Sequence, residues 1–497
     1  MKKPYWMFLA AVFFASCSTS PVVKSPEEMK PIDRLRAELA ERFDDPNFMN
    51  AHWGVVIRSL KTGEVVYQRN EYKSFMPASN MKLFTTSTAL TSLTPDFRYK
   101  TDVYAEGDLK AGVLTGNIVV KGSGDPTISG RYNNGHSTET FEQWADSLKA
   151  AGITEVTGNV IGDDRCFDES FYGDGWDALY ETDWYAAQFG GLAFNDNCVD
   201  MTVTAGDSVG QPAHITWSPA TKYISIVNKT KTTGPDSNYY ITFTRRRGTN
   251  IVTVSGSFPV NKPAWKESIA IDNPTLYAAT VLKETLERKG IAVHGEAMDI
   301  GDTGYLPDYA SARHVATFTS IPLSEIVRTI NKPSQNFYAE QLYRTMGMAY
   351  YGLGSERNSR RVTNPIFASW GIDTLRLQEV DGSGLSRLNL VSPTDVVSLL
   401  TGMYQGKYFE PFYQSLPIAG VDGSIRNRMK GTKAENNVHA KTGFVGYVRA
   451  LSGYVTSRDG EMFVFSMICN HYTVPTRMAE KIQNDVCIRL AEFSRTE

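Results

Sequence analysis

The chain has 497 residues, of which 41% are hydrophobic and 21% charged, with a formal net charge of −3. Such a composition excludes a disordered chain, which needs low hydropathy and high net charge, and the balanced charge leaves no electrostatic footprint for a nucleic-acid partner. Five cysteines are too few for a disulfide scaffold, and the length predicts roughly two to four domains.

Lys2 and Lys3 precede an apolar run over residues 5–15 that is too short to span a bilayer, so residues 1–17 read as an export signal. Its end, Phe14-Ala15-Ser16-Cys17-Ser18, resembles a bacterial lipoprotein signal in which Cys17 becomes the lipidated first residue; a plain cleaved signal is the alternative. An exported, periplasmic protein held to a membrane by a lipid anchor is therefore expected. In that oxidising setting Cys166, Cys198, Cys469 and Cys487 either form two disulfides, most simply 166–198 and 469–487, or stay as four buried thiols. Residues 18–30, rich in Ser, Pro and Lys, read as a tether.

A helix is predicted over 31–43, where Leu35, Leu39 and Phe43 share one face. A hairpin follows, its strands at 53–58 and 64–67 joined by Lys61-Thr62-Gly63. A second helix starts at Pro77-Ala78-Ser79-Asn80-Met81-Lys82 and runs to about residue 93. From about residue 98 to 307 short β patterns alternate with Gly, Asn and Asp, and one helix, 274–289, closes this β-rich stretch. Helical patterns return at 323–329, 336–350, 359–369 and 394–404; strands at 438–442, 448–455 and 462–469 precede a last helix over 475–493. Helices flanking an antiparallel sheet whose first strands lie near the N-terminus make an α+β fold. Its main domain, 31–97 and 308–497, is interrupted by the insert 98–307, read as two nested subdomains.

Three short motifs carry chemistry. Ser79 and Lys82 are three apart at a helix start, so the amine reaches the hydroxyl; a serine needs such a base to become a nucleophile. Ser334-Gln335-Asn336 falls between two helical patterns and offers a hydroxyl for proton relay and an amide for a peptide carbonyl. Alone, it reads better as a helix cap. Lys441-Thr442-Gly443 lies on a predicted strand and combines a positive charge, a hydroxyl and a glycine that permits close approach. Lys61-Thr62-Gly63 is an identical triplet in a hairpin turn, and is read as structural. No metal-binding or phosphate-loop motif is present, and no cofactor is expected. His439, two residues before Lys441, is read as a packing residue.

Ser-x-x-Lys, Ser-x-Asn and Lys-Thr-Gly in this order belong to penicillin-binding proteins and class A β-lactamases. With the long insert between the first two motifs, and with Ser123-Gly124-Asp125-Pro126-Thr127, Asp381-Gly382-Ser383-Gly384-Leu385-Ser386-Arg387 and Gly420-Val421-Asp422-Gly423-Ser424, the chain resembles the class C low-molecular-mass penicillin-binding proteins, the S13 D-Ala-D-Ala carboxypeptidases/endopeptidases. The resemblance implies a penicillin-binding, serine β-lactamase-like domain interrupted by two nested domains. It also implies a serine DD-peptidase that acts on peptidoglycan peptides and takes β-lactams as covalent inhibitors. Ser79 would form the acyl-enzyme, Lys82 would activate it, Ser334 would pass the proton on, and Asn336 would anchor the substrate backbone and Lys82. Lys441 and Thr442 would bind the terminal carboxylate, with Gly443 beside them, and the N–H groups of Ser79 and Phe444 would form the oxyanion hole. Arg387 matches a position near the pocket for the peptide side chain; a surface arginine is the alternative. Phe444 replaces the family's usual hydroxyl residue and removes one hydrogen bond to the carboxylate. A serine β-lactamase and a non-catalytic penicillin- or cell-wall-binding lipoprotein are the competing readings. The absence of a Glu-x-x-Leu-Asn segment argues against the first, and the complete set of five polar residues against the second.

Overall fold

The computed structural model describes Met1 and residues 29–496; the expected signal, Cys17 and nearly all of the tether lie outside the described residues. Helix α1 (Pro31–Phe43) has Pro31 in its first turn and buries Leu35, Leu39 and Phe43, as their spacing predicts. The strands His52–Ser59 and Val65–Arg69 form the expected hairpin. A single 3-10 turn, Ala78–Asn80, leads into α2 (Met81–Leu93). Every residue of α2 from Met81 to Leu90 is buried, so it is the central helix of the domain rather than an amphipathic surface one. Its Thr85, Thr86 and Thr88 hydroxyls bond back to carbonyls four residues earlier, which makes polar side chains acceptable in the interior.

The insert opens with the antiparallel pair Lys100–Lys110 and Val113–Lys121. Helix α3 (Glu139–Ala150) packs Phe141, Trp144, Ala145 and Leu148 inward. It was not expected: the sequence reading has one helix in the insert, and the structure has α3 as well as α4 (Pro274–Arg288). Between them two three-stranded sheets are formed by strands drawn from residues 198–270. They share one apolar cluster with the sheet of Lys100–Lys110 and with both helices: Val199, Val254 and Ile269 pack with Val103, with Phe141 of α3 and with Tyr277 of α4. The strand Arg313–Thr319 returns to pair with Lys100–Lys110. The insert's sheet therefore runs past the expected boundary at 307, and the chain re-enters the main domain near Ser320.

There it forms α5 (Leu323–Asn331), α6 (Asn336–Tyr351), α7 (Glu356–Ser369), α8 (Pro393–Gln405) and a short, unanticipated α9 (Phe409–Ser415). Three strands, His439–Val445, Val448–Thr456 and Met462–Asn470, and α10 (Thr476–Glu492) finish the domain. The last three strands join the N-terminal hairpin in a five-stranded sheet, antiparallel throughout, with His439–Val445 at one edge. Side chains alternate across it. Phe463, Phe465, Met467 and Cys469 pack with Leu39 of α1 and Val486 of α10, while Val464 and Ile468 pack with Leu83 of α2 and Val397 of α8. Because helices cover both faces, Met462–Cys469 is apolar at every position but Ser466.

The four described cysteines are free thiols; Cys469 and Cys487 sit in one apolar cluster without a bond, so of the two alternatives the thiols are present, with three of them buried and Cys166 half-buried.

Candidate active site

Four segments meet at the open edge of the five-stranded sheet. The first is the turn carrying Ser79. Ala78 before it has φ +47°, a conformation costly for a residue with a Cβ, which sets the serine at a sharp corner where the 3-10 turn meets α2. Lys82, one turn on, is fully buried, and its Nζ lies 3.0 Å from Ser79 Oγ.

The second segment is the connection between α5 and α6. Ser334 has φ +65°, so the backbone turns sharply and α6 begins at Asn336. Lys82 Nζ donates to Asn336 Oδ1 at 2.6 Å, and Asn336 Nδ2 donates to the Tyr185 carbonyl of the insert at 2.7 Å. The insert thereby decides which end of the Asn336 amide faces the lysine.

The third is the strand His439–Val445. Lys441 Nζ, fully buried, donates to Ser334 Oγ at 2.7 Å and to the Thr442 carbonyl at 3.0 Å. Thr442 Oγ1 donates to Ser424 Oγ at 2.7 Å, so the Gly420–Ser424 motif buttresses this strand. Lys332 ties the same loop to the segment before Ser334 through Asp422, at 2.7 Å. The strand's outer side is engaged at its start, where Ala440 N–H donates to the Pro417 carbonyl and His439 bridges Ile418. From Lys441 onward it offers an edge to which an extended peptide can add. Gly443 is needed for a reason other than ligand approach: a Cβ there would lie 2.5 Å from the Pro77 carbonyl oxygen. Phe444 is exposed, with the Arg449 guanidinium over its ring. His439 stacks on Tyr413 with ring centroids 3.9 Å apart, the packing role expected of it. The decoy triplet stays in its turn, where the Glu64 N–H donates to Thr62 Oγ1.

The fourth is the run 381–387, whose detailed part the sequence did not reveal. The Ser383 carbonyl accepts from Lys82 Nζ at 2.7 Å. Asp381, buried, accepts from the Gly384 and Ser386 N–H groups, from Asn389 Nδ2 and from Trp176 Nε1 of the insert. Gly384, at φ +81°, passes against the nucleophile turn: a Cβ there would lie 1.9 Å from the Ala78 carbonyl oxygen. Arg387 is exposed and donates to the Gly446 carbonyl, just beyond the edge strand, at 3.1 Å. The insert is fastened to α6 by Gln341, which bonds to Gly124 of the Ser-Gly-Asp-Pro-Thr motif and to Gly190, and by Arg344 with Asp168.

These contacts define what the lysine can do. Burial pushes the Lys82 amine down to about 7, against the opposing pull of Asp381 and Glu340. Once neutral, Nζ keeps two hydrogens and one lone pair. Asn336 Oδ1 and the Ser383 carbonyl only accept, so they take both hydrogens, and the lone pair is left facing Ser79 Oγ. Burial, then the charges of Lys82 and Arg449, hold Lys441 well below the usual lysine range.

The model of the D-Ala-D-Ala carboxypeptidase 3 (S13) family matches residues 35–492. The chain belongs to this family. It is a serine DD-peptidase with the penicillin-binding fold. The peptidase is 33% identical over 474 residues to the D-alanyl-D-alanine carboxypeptidase of Actinomadura sp. (strain R39), covering 93% of this chain and 85% of that one. It is 26% identical over 425 residues to the D-alanyl-D-alanine carboxypeptidase DacB of Haemophilus influenzae, covering 84% and 85%. The crystal structure of penicillin binding protein 4 (dacB) from Haemophilus influenzae superposes on the peptidase with a TM-score of 0.79 at 23% identity, covering 92% of this chain and 99% of that one.

Proposed function

We propose that the peptidase hydrolyses D-Ala-D-Ala termini and D-Ala crosslinks of peptidoglycan through an acyl-enzyme on Ser79. The observation that carries this reading is the single free direction of the Lys82 amine, which faces Ser79 Oγ at 3.0 Å. The neutral amine takes the Ser79 proton as Oγ attacks the D-Ala carbonyl. The substrate peptide lies along the edge strand from Lys441, and its carbonyl oxygen enters between the N–H groups of Ser79 and Phe444. Losing one such donor typically costs about 100- to 1000-fold in rate. Ser334, held by Lys441, carries the proton to the leaving amine; water then repeats the path in reverse to release the acid. Lys441 and Thr442 hold the terminal carboxylate. Arg387, which donates to the Gly446 carbonyl just past the edge strand, pairs with a carboxylate on the peptide side chain.

Covalent inhibition by β-lactams follows from the same acylation, and the Haemophilus influenzae relative has been solved in complex with a β-lactam. The N-terminal signal pattern supports a periplasmic lipoprotein anchored through Cys17. Mass spectrometry of the penicillin-treated protein should find one adduct, absent from Ser79→Ala; an adduct that persists there would sink the assignment. Incubation with purified muropeptides should release D-Ala and split crosslinked dimers. Palmitate labelling lost in Cys17→Ser would test the anchor.

A further inference from the structure

Glu340 lies one turn after Asn336 on α6, so both project from one face of that helix toward Lys82. Its side chain is buried, 1% exposed. Oε1 accepts from the Ser383 N–H at 2.8 Å and Oε2 from the Gly382 N–H at 3.0 Å. One carboxylate thus holds the Asp381–Gly382 and Gly382–Ser383 peptide groups, and the carbonyl of the next peptide, Ser383–Gly384, accepts from Lys82 Nζ at 2.7 Å. The N–H of that acceptor peptide, Gly384, donates to Asp381, and Gly384 passes closely over Ala78, so Glu340 holds the peptides on one side of the carbonyl and Asp381 the carbonyl's own peptide.

Resting on the assignment of Lys82 as the base, we infer that Glu340 is a positioning residue that aims the lone pair of Lys82 at Ser79 by clamping the Gly382–Ser383 peptides. If the Ser383 carbonyl swings away, one hydrogen of the neutral amine loses its acceptor, and Nζ rotates until that hydrogen, not the lone pair, faces Ser79. Burial, then Asp381, push Glu340 itself up to about 7, against the pull of its two N–H donors and of Arg344 on the next turn of α6; once ionised it faces Lys82 as a charge, together with Asp381, while Lys441 faces Lys82 from the edge strand. A negative charge beside an amine favours its protonated form. Glu340 therefore sets both the aim of the base and the pH at which it becomes free.

The test is the pH profile of acylation by a chromogenic penicillin for two variants. Glu340→Gln can accept only one of the two N–H groups and carries no charge. Its plateau rate should fall about 10- to 100-fold, a share of the 100- to 10,000-fold that a placed base supplies, and its acid limb should move to lower pH. Glu340→Asp keeps the charge but is one methylene too short to hold both groups, so its plateau should fall while the limb stays. A folded Glu340→Gln with the wild-type plateau and limb, or with a lowered plateau and an unmoved limb, overturns the inference. If Glu340→Gln does not fold, a wild-type plateau in Glu340→Asp overturns it. Ser79→Ala, measured alongside, reports separately on the nucleophile.

Discussion

Gly443 runs so close to Pro77 that a Cβ on it would lie 2.5 Å from the Pro77 carbonyl oxygen and 3.0 Å from Ala450 Cβ. Both neighbours are anchored, one in the nucleophile turn and the other in the sheet. Gly443→Ala must therefore push the edge strand away from Ser79 and carry the Phe444 N–H with it. Acylation should slow about 100- to 1000-fold, as for loss of an oxyanion donor, with about 1–3 kcal/mol of stability lost to overpacking. Acylation kinetics and thermal unfolding measured together check both.

Lys82, pushed down to about 7 by burial, loses its proton near neutrality. Below that pH Nζ is an ammonium and has no lone pair; above it the amine is a base. Acylation by penicillin should therefore rise through about pH 7 and level off above it. A rate that falls over the same interval would contradict the assignment. Lys82→Met should leave the folded protein unacylated, since no other described base contacts Ser79 Oγ.

Ser334→Ala removes the hydroxyl that accepts from Lys441 Nζ at 2.7 Å. Proton delivery to the leaving amine then has no carrier. Peptide turnover should fall about 100- to 10,000-fold. The ring opening of a β-lactam, whose amine stays attached to the acyl group, should fall less. Comparing muropeptide turnover with penicillin acylation in one preparation reads this difference.

Asp381 gathers four donors from two stretches of chain: Gly384, Ser386 and Asn389 just after it, and Trp176 of the insert. Asp381→Ala leaves them unpaired in the interior and should cost about 3–5 kcal/mol, the range for breaking a buried charged network. Trp176→Phe removes one bond and should cost about 1–3 kcal/mol. Denaturant unfolding of both variants gives the comparison.

Much of the catalytic domain was legible because its signals are local. The spacing of Leu35, Leu39 and Phe43 marks α1, and the apolar run at 462–469 marks a strand covered on both faces. Helix α3 was hidden although Phe141, Trp144, Ala145 and Leu148 have helical spacing. It is flanked by Asn133, Asn134, Gly135 and Gly152, in a stretch whose Gly, Asn and Asp spacing reads as short strands and turns. The insert's true end was hidden because Arg313–Thr319 gains its pairing only from Lys100–Lys110, more than two hundred residues earlier.

By itself, the sequence determined which residues stand in the three motifs and in what order, and so the family and its chemistry. It could not say what aims the base. Asn336 owes its orientation to a backbone carbonyl of the insert, and Lys82 its second acceptor to the Ser383 carbonyl, in a loop whose preceding peptides Glu340 clamps. Backbone carbonyls are common to every residue type and leave no mark on sequence. Only the fold, by bringing distant segments within hydrogen-bond reach in a dry interior, selects the few that matter.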